Sequence, residues 1–70
     1  MRIAVLDDDR LQLELMERVA HEMGHTCSLH TTGQSFQQEL RRETFDMLVV
    51  DWVLPDTSGP EVIQWARTNL

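Results

Sequence analysis

Two groups of aspartates follow the two most apolar stretches of this chain. Asp7 and Asp8 come directly after the run from Ile3 to Leu6, and Asp51 comes directly after the run from Met47 to Val50. Carboxylates held close together repel one another, and each raises the proton affinity of its neighbour. A hard divalent cation relieves that repulsion, and all-oxygen ligation suits Mg²⁺. The residues therefore predict a cation site if the two groups meet; the competing interpretation is solvated loop acids that cap helices.

Short strands and helices alternate along the chain in a way that would bring these acids together. Each apolar run is continuous rather than alternating, which is typical of a strand covered on both faces. Between them, the segment from Thr26 to His30 alternates and predicts a half-buried edge strand. The order β-α-β-α-β-α with short connections predicts an α/β fold with a parallel sheet and right-handed crossovers. In such sheets ligands bind beyond the carboxyl ends of the strands.

The first helix is predicted from its apolar spacing and its end. Gly24 stands where a helix of this period should terminate. Met16 and Ala20 widen an apolar stripe that repeats every fourth residue and is expected to face the core. The members of that stripe are Leu11, Leu15, Val19 and Met23.

The other two helices are predicted from apolar positions and capping residues. The second should run from about Gln34 to Arg42, with Phe36 and Leu40 facing the core. The third should begin after Ser58, which has capping-box spacing to Glu61. The buried face of the third helix is expected to consist of Val62, Ile63, Ala66 and Leu70.

The second acidic motif, together with its distance from the first, resembles one protein family. Residues 51–59 read DWVLPDTSG, which places an aspartate at a strand end, then a Leu-Pro pair, then a Ser-Gly pair. With Asp7 and Asp8 upstream, the sequence resembles the receiver domain of bacterial two-component response regulators over its whole length. The resemblance implies a flavodoxin-like doubly wound parallel sheet, here with strand order 2-1-3.

The resemblance also implies a function. Asp51 would accept a phosphoryl group from a sensor histidine kinase in a Mg²⁺-dependent reaction. Asp8 would bind the cation directly, Asp7 would assist through water, and Asp51 and the backbone carbonyl of Val53 would complete the protein ligands. Phosphoryl transfer needs an in-line nucleophile and cations more than proton chemistry, which agrees with these roles. The chain would be a phosphoacceptor that assists its own phosphorylation and not a turnover enzyme.

The resemblance further implies elements that these 70 residues lack. In the family, strand four ends in a Ser or Thr and strand five in a Lys, and both contact the phosphoryl group. Residues 1–70 are therefore expected to be the amino-terminal portion of a receiver domain, without strands four and five and without an output domain. All six basic residues are arginines, so no lysine can substitute. Phosphorylation of Asp51 is expected to be impaired.

A function of a different class stays open, namely phosphorylation-independent protein interaction. With strand order 2-1-3, the third strand would leave one edge bare, and a bare apolar edge such as Met47 to Val50 is a template for pairing with another chain. The chain would then be a self-association module that forms a homo-oligomer through the third strand. Its aspartates would then be retained from the family without taking part in phosphoryl transfer.

Four further residues near these motifs receive only local roles. Asp9 is expected to be a helix N-terminal acid, Asp56 an exposed loop residue, and His30 an exposed strand residue for which the sequence names no partner. Trp52 directly follows Asp51, so its fluorescence should report a metal ion in the site.

Composition argues against several other classes of protein. Twelve acids against six bases give a net charge of −6, which argues against nucleic-acid binding by this chain alone. No apolar run approaches the roughly 18 residues of a membrane span, and nothing at the start resembles a signal peptide. The single cysteine, Cys27, rules out an internal disulfide framework and makes the cytoplasm the expected compartment.

One motif suggests a zinc hydrolase, which is the weaker interpretation. Residues 21–25 read HEMGH and match the zinc-protease pattern H-E-x-x-H. That chemistry needs both histidines on one helical face and a third ligand downstream. Gly24 should end the helix before His25, and this would take His25 out of register with His21.

Overall fold

The computed structural model describes residues 1–70, in which three strands and three helices alternate. In chain order the elements are β1 (Arg2–Leu6), α1 (Arg10–Glu22), β2 (Thr26–His30), α2 (Gly33–Arg42), β3 (Met47–Val50) and α3 (Gly59–Asn69). All strands are parallel and lie in the order β2-β1-β3. The predicted fold class, element order and strand order are confirmed.

Strand β1 lies in the centre of the sheet and pairs with a neighbour on each side. Leu6 is opposite His30 of β2 and opposite Val50 of β3. The carboxyl ends of the three strands are therefore level, and the segments that follow them start at the same edge of the sheet. This register decides where the aspartates after β1 and β3 can lie.

Two apolar clusters cover the two faces of the sheet, and alternate residues of β1 contribute to both. The cluster on the side of α2 and α3 consists of Ala4, Leu6, Phe36, Leu40, Leu54 and Val62. The cluster on the side of α1 consists of Ile3, Val5, Leu13 and Ala20. Because both faces are covered, the four residues from Ile3 to Leu6 are at most 9% exposed. The continuous apolar pattern of β1 is explained by this double coverage.

Helix α1 contacts the sheet through a different stripe from the predicted one. Leu13 and Ala20 are buried, whereas all four members of the predicted stripe are exposed: Leu11, Leu15, Val19 and Met23. The reason is that α1 packs chiefly against β2. Three members of the stripe, Leu15, Val19 and Met23, instead line an open apolar groove beside Ile3. The prediction is therefore wrong for the four stripe members, but it is confirmed for Ala20, which is buried, and Met16 packs against the same cluster. In α3 the predicted buried face is confirmed for Val62, whereas Ile63 and Leu70 are exposed.

Capping groups define both ends of α1. The carboxylate of Asp9 accepts hydrogen bonds from the N–H groups of Leu11 at 3.0 Å and Gln12 at 3.3 Å. At the other end Gly24 adopts a left-handed φ of 83°. The helix closes there with paired 6→1 and 5→2 backbone hydrogen bonds onto its last turn. The expected helix end at Gly24 is confirmed. None of the three helices has the length and apolar content that crossing a bilayer requires.

Candidate functional site

The three aspartates at the strand ends lie together at the carboxyl edge of the sheet. One carboxylate oxygen from each of Asp7, Asp8 and Asp51 lies within 4.8 Å of the other two. Asp7 and Asp51 are half-buried and Asp8 is exposed. Among residues 1–70, no other three acidic, histidine or cysteine side chains come as close together.

The backbone of the sheet holds two of these aspartates in place. The Asp7 N–H donates to the carbonyl of His30 at 3.0 Å, and the Asp51 N–H donates to the carbonyl of Leu6 at 2.8 Å. Both residues thus continue the hydrogen-bond ladder one position beyond their strands. Their side chains start from rigid backbone, which favours a preorganised site.

The three carboxylates differ in how many of their oxygens are already bonded. Oδ1 of Asp7 accepts from the Asp9 N–H at 3.0 Å, and Oδ1 of Asp51 accepts from the Trp52 N–H at 2.8 Å. Oδ2 of each has no hydrogen-bond partner in the chain, and Asp8 has no partner for either oxygen. These free oxygens are available to a ligand.

The segment between β3 and α3 folds back on itself beside the aspartates. Val53 pairs with Ser58 in a short antiparallel bridge, and the Gly59 N–H donates to the carbonyl of Trp52 at 2.9 Å. Leu54 is buried in the cluster beneath the sheet. By contrast Trp52 is 67% and Val53 is 73% exposed. The loop presents two exposed residues next to Asp51 while its middle is anchored.

Gly59 is the point where the start of α3 approaches the end of β3. A Cβ at this position would lie 2.8 Å from the carbonyl oxygen of Asp51 and 3.1 Å from Cα of Trp52. Both neighbours are backbone atoms, which cannot rotate away. The two residues of the Ser-Gly pair thus have different roles. Ser58 caps α3, because its Oγ accepts from the Glu61 N–H at 3.3 Å. Gly59 makes a close contact that only glycine permits.

Asp56 has a role that the sequence did not reveal. Its Oδ1 accepts from the Gly33 N–H at 2.8 Å and its Oδ2 from the Gln34 N–H at 3.1 Å. These hydrogen bonds, above all the one from Gly33, lower the pKa of Asp56 below its ordinary value. The expected exposed loop position of Asp56 is confirmed, and the carboxylate also caps α2, which was not predicted. No sequence pattern links positions this far apart.

His30 is half-buried and not exposed as expected, and it has two hydroxyl partners. Its Nε2 lies 2.7 Å from Oγ of Ser28, and its Nδ1 lies 2.7 Å from Oγ of Ser35. The ring meets the edge of Phe36 with centroids 5.8 Å apart. Burial lowers the pKa of His30. The residue is half-buried and joins the end of β2 to the first turn of α2.

The histidines of the zinc-protease pattern do not share a helical face. Helix α1 ends at Glu22, and His25 lies beyond the Gly24 turn. Nδ1 of His25 is 2.7 Å from the amino group of Met1. The two histidines are thus held by different elements, as the position of Gly24 predicted.

The donor set of the aspartate cluster fits a hard cation. All three side chains offer oxygen ligands, which is the set that Mg²⁺ prefers. The two ion pairs of the chain, Arg2 with Glu43 and Arg42 with Glu39, lie outside the cluster. No basic side chain neutralises the three carboxylates, so their charge is uncompensated within the chain.

A family model and individual relatives agree on the kind of protein that this chain resembles. The family model described as "Response regulator receiver domain" matches residues 3–69. The chain is 30% identical to Transcriptional regulatory protein GltR of Pseudomonas aeruginosa, over 96% of this chain and 28% of that protein. It is 32% identical to Response regulator MprA of Mycobacterium leprae, over 99% of this chain and 30% of that protein. The chain therefore spans less than a third of the length of these relatives.

A solved structure shows the same fold. The response regulator receiver domain (CheY-like) from Methylobacillus flagellatus superposes on the whole of this chain with a TM-score of 0.94. The match covers 59% of that domain's chain, at 18% sequence identity. At this identity the likeness concerns the fold, and it confirms the flavodoxin-like architecture.

Proposed function

The chain belongs to the response regulator receiver domain family, and from that premise we propose that Asp51 accepts a phosphoryl group from a sensor histidine kinase in a Mg²⁺-dependent reaction. The observation that carries this proposal is the convergence of Asp7, Asp8 and Asp51, whose oxygens lie within 4.8 Å of one another. A cation bound among these three carboxylates would relieve the repulsion between them. The relatives named above are described as regulators, which supports a signalling role.

The nucleophile in this proposal is the free Oδ2 of Asp51. It attacks the phosphorus atom of a phosphohistidine, so a P–O bond forms as the P–N bond breaks. The electron pair of that bond stays on the imidazole nitrogen, which takes a proton from solvent. The Trp52 N–H on Oδ1 limits rotation of the carboxylate, so less of its freedom is lost on reaching the in-line geometry.

The cation ligands in this proposal are those that the family resemblance implies, and the free oxygens of the aspartates agree with them. Asp8, with no hydrogen bond of its own, would bind Mg²⁺ directly. Asp7, whose Oδ1 is engaged by the Asp9 N–H, would assist through water. Asp51 and the backbone carbonyl of Val53 would complete the protein ligands. The bound cation would supply countercharge for the phosphoryl oxygens.

Asp51 would retain the phosphoryl group, so the proposed role is that of a phosphoacceptor and not of a turnover enzyme. We also propose that residues 1–70 by themselves accept the group slowly. The chain has no lysine, and no arginine pairs with the aspartate cluster. A phosphoryl group on Asp51 would therefore receive little countercharge from this chain.

The experiment is intact-mass measurement of the chain after incubation with acetyl phosphate and Mg²⁺. We expect one phosphoryl adduct, which is lost when Mg²⁺ is removed with a chelator and lost completely in Asp51→Asn. Asp46→Asn is the matched control, because Asp46 is an exposed acid at the opposite end of β3; its adduct should equal that of the wild type. Persistence of the adduct in Asp51→Asn, or its absence from the folded wild type, would contradict the proposal.

A second candidate function, self-association, is favoured by the free edge of β3. Met47 is 43% and Leu48 is 37% exposed, and β3 pairs only with β1. An apolar groove flanks this strand where Leu48 and Val50 meet Ile63 of α3. The strand contains no charged or proline residue of the kind that discourages edge pairing. A second copy pairing along β3 would cover this groove.

Light scattering at several protein concentrations tests this candidate. The wild type should show a dimer or larger species, and Leu48→Lys should shift it to the monomer because it places a charge on the edge. Leu11→Lys is the matched control, since Leu11 is exposed on α1, away from β3. A wild type that stays monomeric at all concentrations would exclude this function. An oligomer unaffected by Asp51→Asn would show that assembly does not require the phosphoacceptor.

A further inference from the structure

The first turn of α2 receives its capping groups from two separate loops. The N–H groups of Gly33, Gln34 and Ser35 have no partner within the helix, as at any helix start. The N-cap residue Thr32 satisfies one of them, since its Oγ1 accepts from the Ser35 N–H at 3.2 Å. The other two have no partner in their own loop. They require an acceptor from elsewhere in the chain.

Asp56 supplies that acceptor from the loop between β3 and α3. Its two carboxylate oxygens accept from Gly33 at 2.8 Å and Gln34 at 3.1 Å. Hydrogen bonds with one ionised partner are stronger than neutral ones, and a negative charge is favoured at a helix N-terminus. The cap of α2 is thus also an anchor for the loop that follows Asp51.

The anchored part of the loop lies directly against α2. Gly33 is buried, and a Cβ on it would lie 2.5 Å from Cγ2 of Thr57. No side chain could fit between the loop and the helix there. Asp56 and Thr57 thus form one contact surface with the helix start, and Leu54 forms a second anchor in the core.

The segment between Asp51 and Asp56 is therefore fixed at both ends. At one end the Asp51 N–H is bonded to the carbonyl of Leu6. At the other end Asp56 is bonded to α2. Val53 lies between these points, and its carbonyl is one of the cation ligands under the proposed function. The position of that carbonyl depends on both anchors, together with the bridge between Val53 and Ser58.

We infer that Asp56 is a positioning residue for the cation site, because its bonds to α2 help to hold the loop backbone at Val53 in place before any ion arrives. The inference rests on the proposed function. Partners that orient metal ligands from outside the first coordination sphere commonly change metal affinity by about 10- to 100-fold when removed. For an anchor that acts through two intervening residues, Leu54 and Pro55, the lower figure is expected.

The same coupling must operate in reverse. If the Asp56 anchor strengthens Mg²⁺ binding, bound Mg²⁺ must stabilise the anchor by the same factor. The N–H groups of Gly33 and Gln34 would then exchange more slowly with solvent when Mg²⁺ is present. This effect can be read without any phosphoryl transfer.

The experiment uses the full 70-residue chain with Trp65→Phe, so that Trp52 is the single tryptophan. Mg²⁺ alone is titrated while Trp52 fluorescence is recorded. Amide exchange of Gly33 and Gln34 is measured by NMR with and without Mg²⁺. Asp56→Ala is compared with Asp46→Ala as the matched control, because the Asp46 carboxylate also accepts a backbone N–H, that of Arg2 at 2.8 Å, but at the far end of the sheet.

We expect Asp56→Ala to weaken Mg²⁺ binding about tenfold and to remove the Mg²⁺-dependent slowing of exchange at the α2 start. Asp46→Ala should leave both unchanged. Asp56→Asn keeps one accepting oxygen and should fall between Asp56→Ala and the wild type; it also serves if Asp56→Ala does not fold.

Two results would overturn the inference alone. The first is a folded Asp56→Ala or Asp56→Asn variant that binds Mg²⁺ with wild-type affinity although amide exchange at Gly33 has changed. The other is equal weakening in Asp46→Ala, which would show a general loss of stability instead of positioning. If the wild type itself shows no response to Mg²⁺ by fluorescence or exchange, the proposed function fails and the inference fails with it.

Discussion

Strands β1 and β3 are both short apolar runs that end at an aspartate, yet they differ in what covers them. Ala4, Val5 and Leu6 of β1 are no more than 1% exposed, whereas Leu48 of β3 is 37% exposed. β1 has a neighbour on each side and a cluster on each face; β3 has one neighbour. The same residue pattern therefore serves as a central strand in one place and as an open edge in the other.

The segments that follow the two strands differ in a parallel way. After β1, Asp9 begins α1 at once and its carboxylate caps the helix it belongs to. After β3, a longer loop intervenes, and its acid, Asp56, caps a different helix. The two sides of the site are thus built differently: one by local bonds, the other by a bond between distant segments. Local bonds survive changes elsewhere, but a long-range anchor depends on two elements staying in place.

The largest expected effect is the difference in stability loss between a Leu→Ala substitution in β1 and one in β3. Leu6→Ala removes a side chain that is fully buried and should lower the free energy of unfolding by about 2–5 kcal/mol. Leu48→Ala, on the exposed edge, should cost less than about 1 kcal/mol, since little apolar area leaves contact. Urea denaturation monitored by circular dichroism measures both.

If Leu6→Ala is unfolded in buffer, Leu6→Met gives a smaller, measurable loss, expected to stay below about 1.5 kcal/mol. Equal losses for Leu6→Ala and Leu48→Ala would mean that β3 is covered in solution. That result would support the self-association candidate and weaken the contrast between the strands.

A second prediction concerns the tight contact at the end of β3. Gly59→Ala would place a methyl group 2.8 Å from the Asp51 carbonyl oxygen and should cost about 1–3 kcal/mol through overpacking. Mg²⁺ titration by Trp52 fluorescence should also weaken, because Asp51 and Trp52 must shift. Ser58→Ala removes the neighbouring cap without adding volume and serves as the control. If Gly59→Ala has unchanged stability and Mg²⁺ affinity, the loop backbone moves to accept the methyl group and the prediction is wrong.

A third prediction separates the local cap from the long-range one. Asp9→Ala removes the acceptor for Leu11 and Gln12 and should lower stability by about 1 kcal/mol. Its backbone N–H, which donates to Asp7, is retained, so Mg²⁺ affinity should not change. Thermal denaturation and Mg²⁺ titration on the same sample test both statements. Weakened Mg²⁺ binding in Asp9→Ala would remove the distinction between the two caps.

The smallest expected effect is a pH dependence. The pKa of Asp56 lies below its ordinary value of 3.8 in the folded chain, so the unfolded chain binds this proton first as pH falls. The stabilisation from Asp56 is therefore complete above the ordinary pKa and is lost as pH falls through the folded value. The difference in melting temperature between wild type and Asp56→Asn should shrink below about pH 4. A difference that stays constant with pH would contradict the carboxylate cap.

Features that depend on neighbouring residues were predictable from the sequence. The Gly24 helix end, the Ser58 cap, and the burial of Phe36 and Leu40 follow from local patterns, and all are present. The meeting of the aspartates was also predictable, because parallel strands present their carboxyl ends at one edge.

Features that depend on distant packing were not predictable. Spacing shows which residues of α1 share a face, but it does not show which face a neighbour covers. For this reason Leu15 is exposed while Leu13 is buried. The bonds from Asp56 to α2 and the two hydroxyl partners of His30 join positions brought together only by the fold. The role of Asp56 therefore needed the structure.

The central place of β1 has a consequence for the order of folding. Its neighbours come much later in the chain: Met1 and His25, which meet where β1 and β2 begin, are 24 residues apart. Arg2 and Asp46, which meet where β1 and β3 begin, are 44 residues apart. Closing the longer loop costs more chain entropy and slows folding. The docking of β3 also brings Asp51 to Asp7 and Asp8, so the three carboxylates come together only once the longest-range contacts of the sheet have formed.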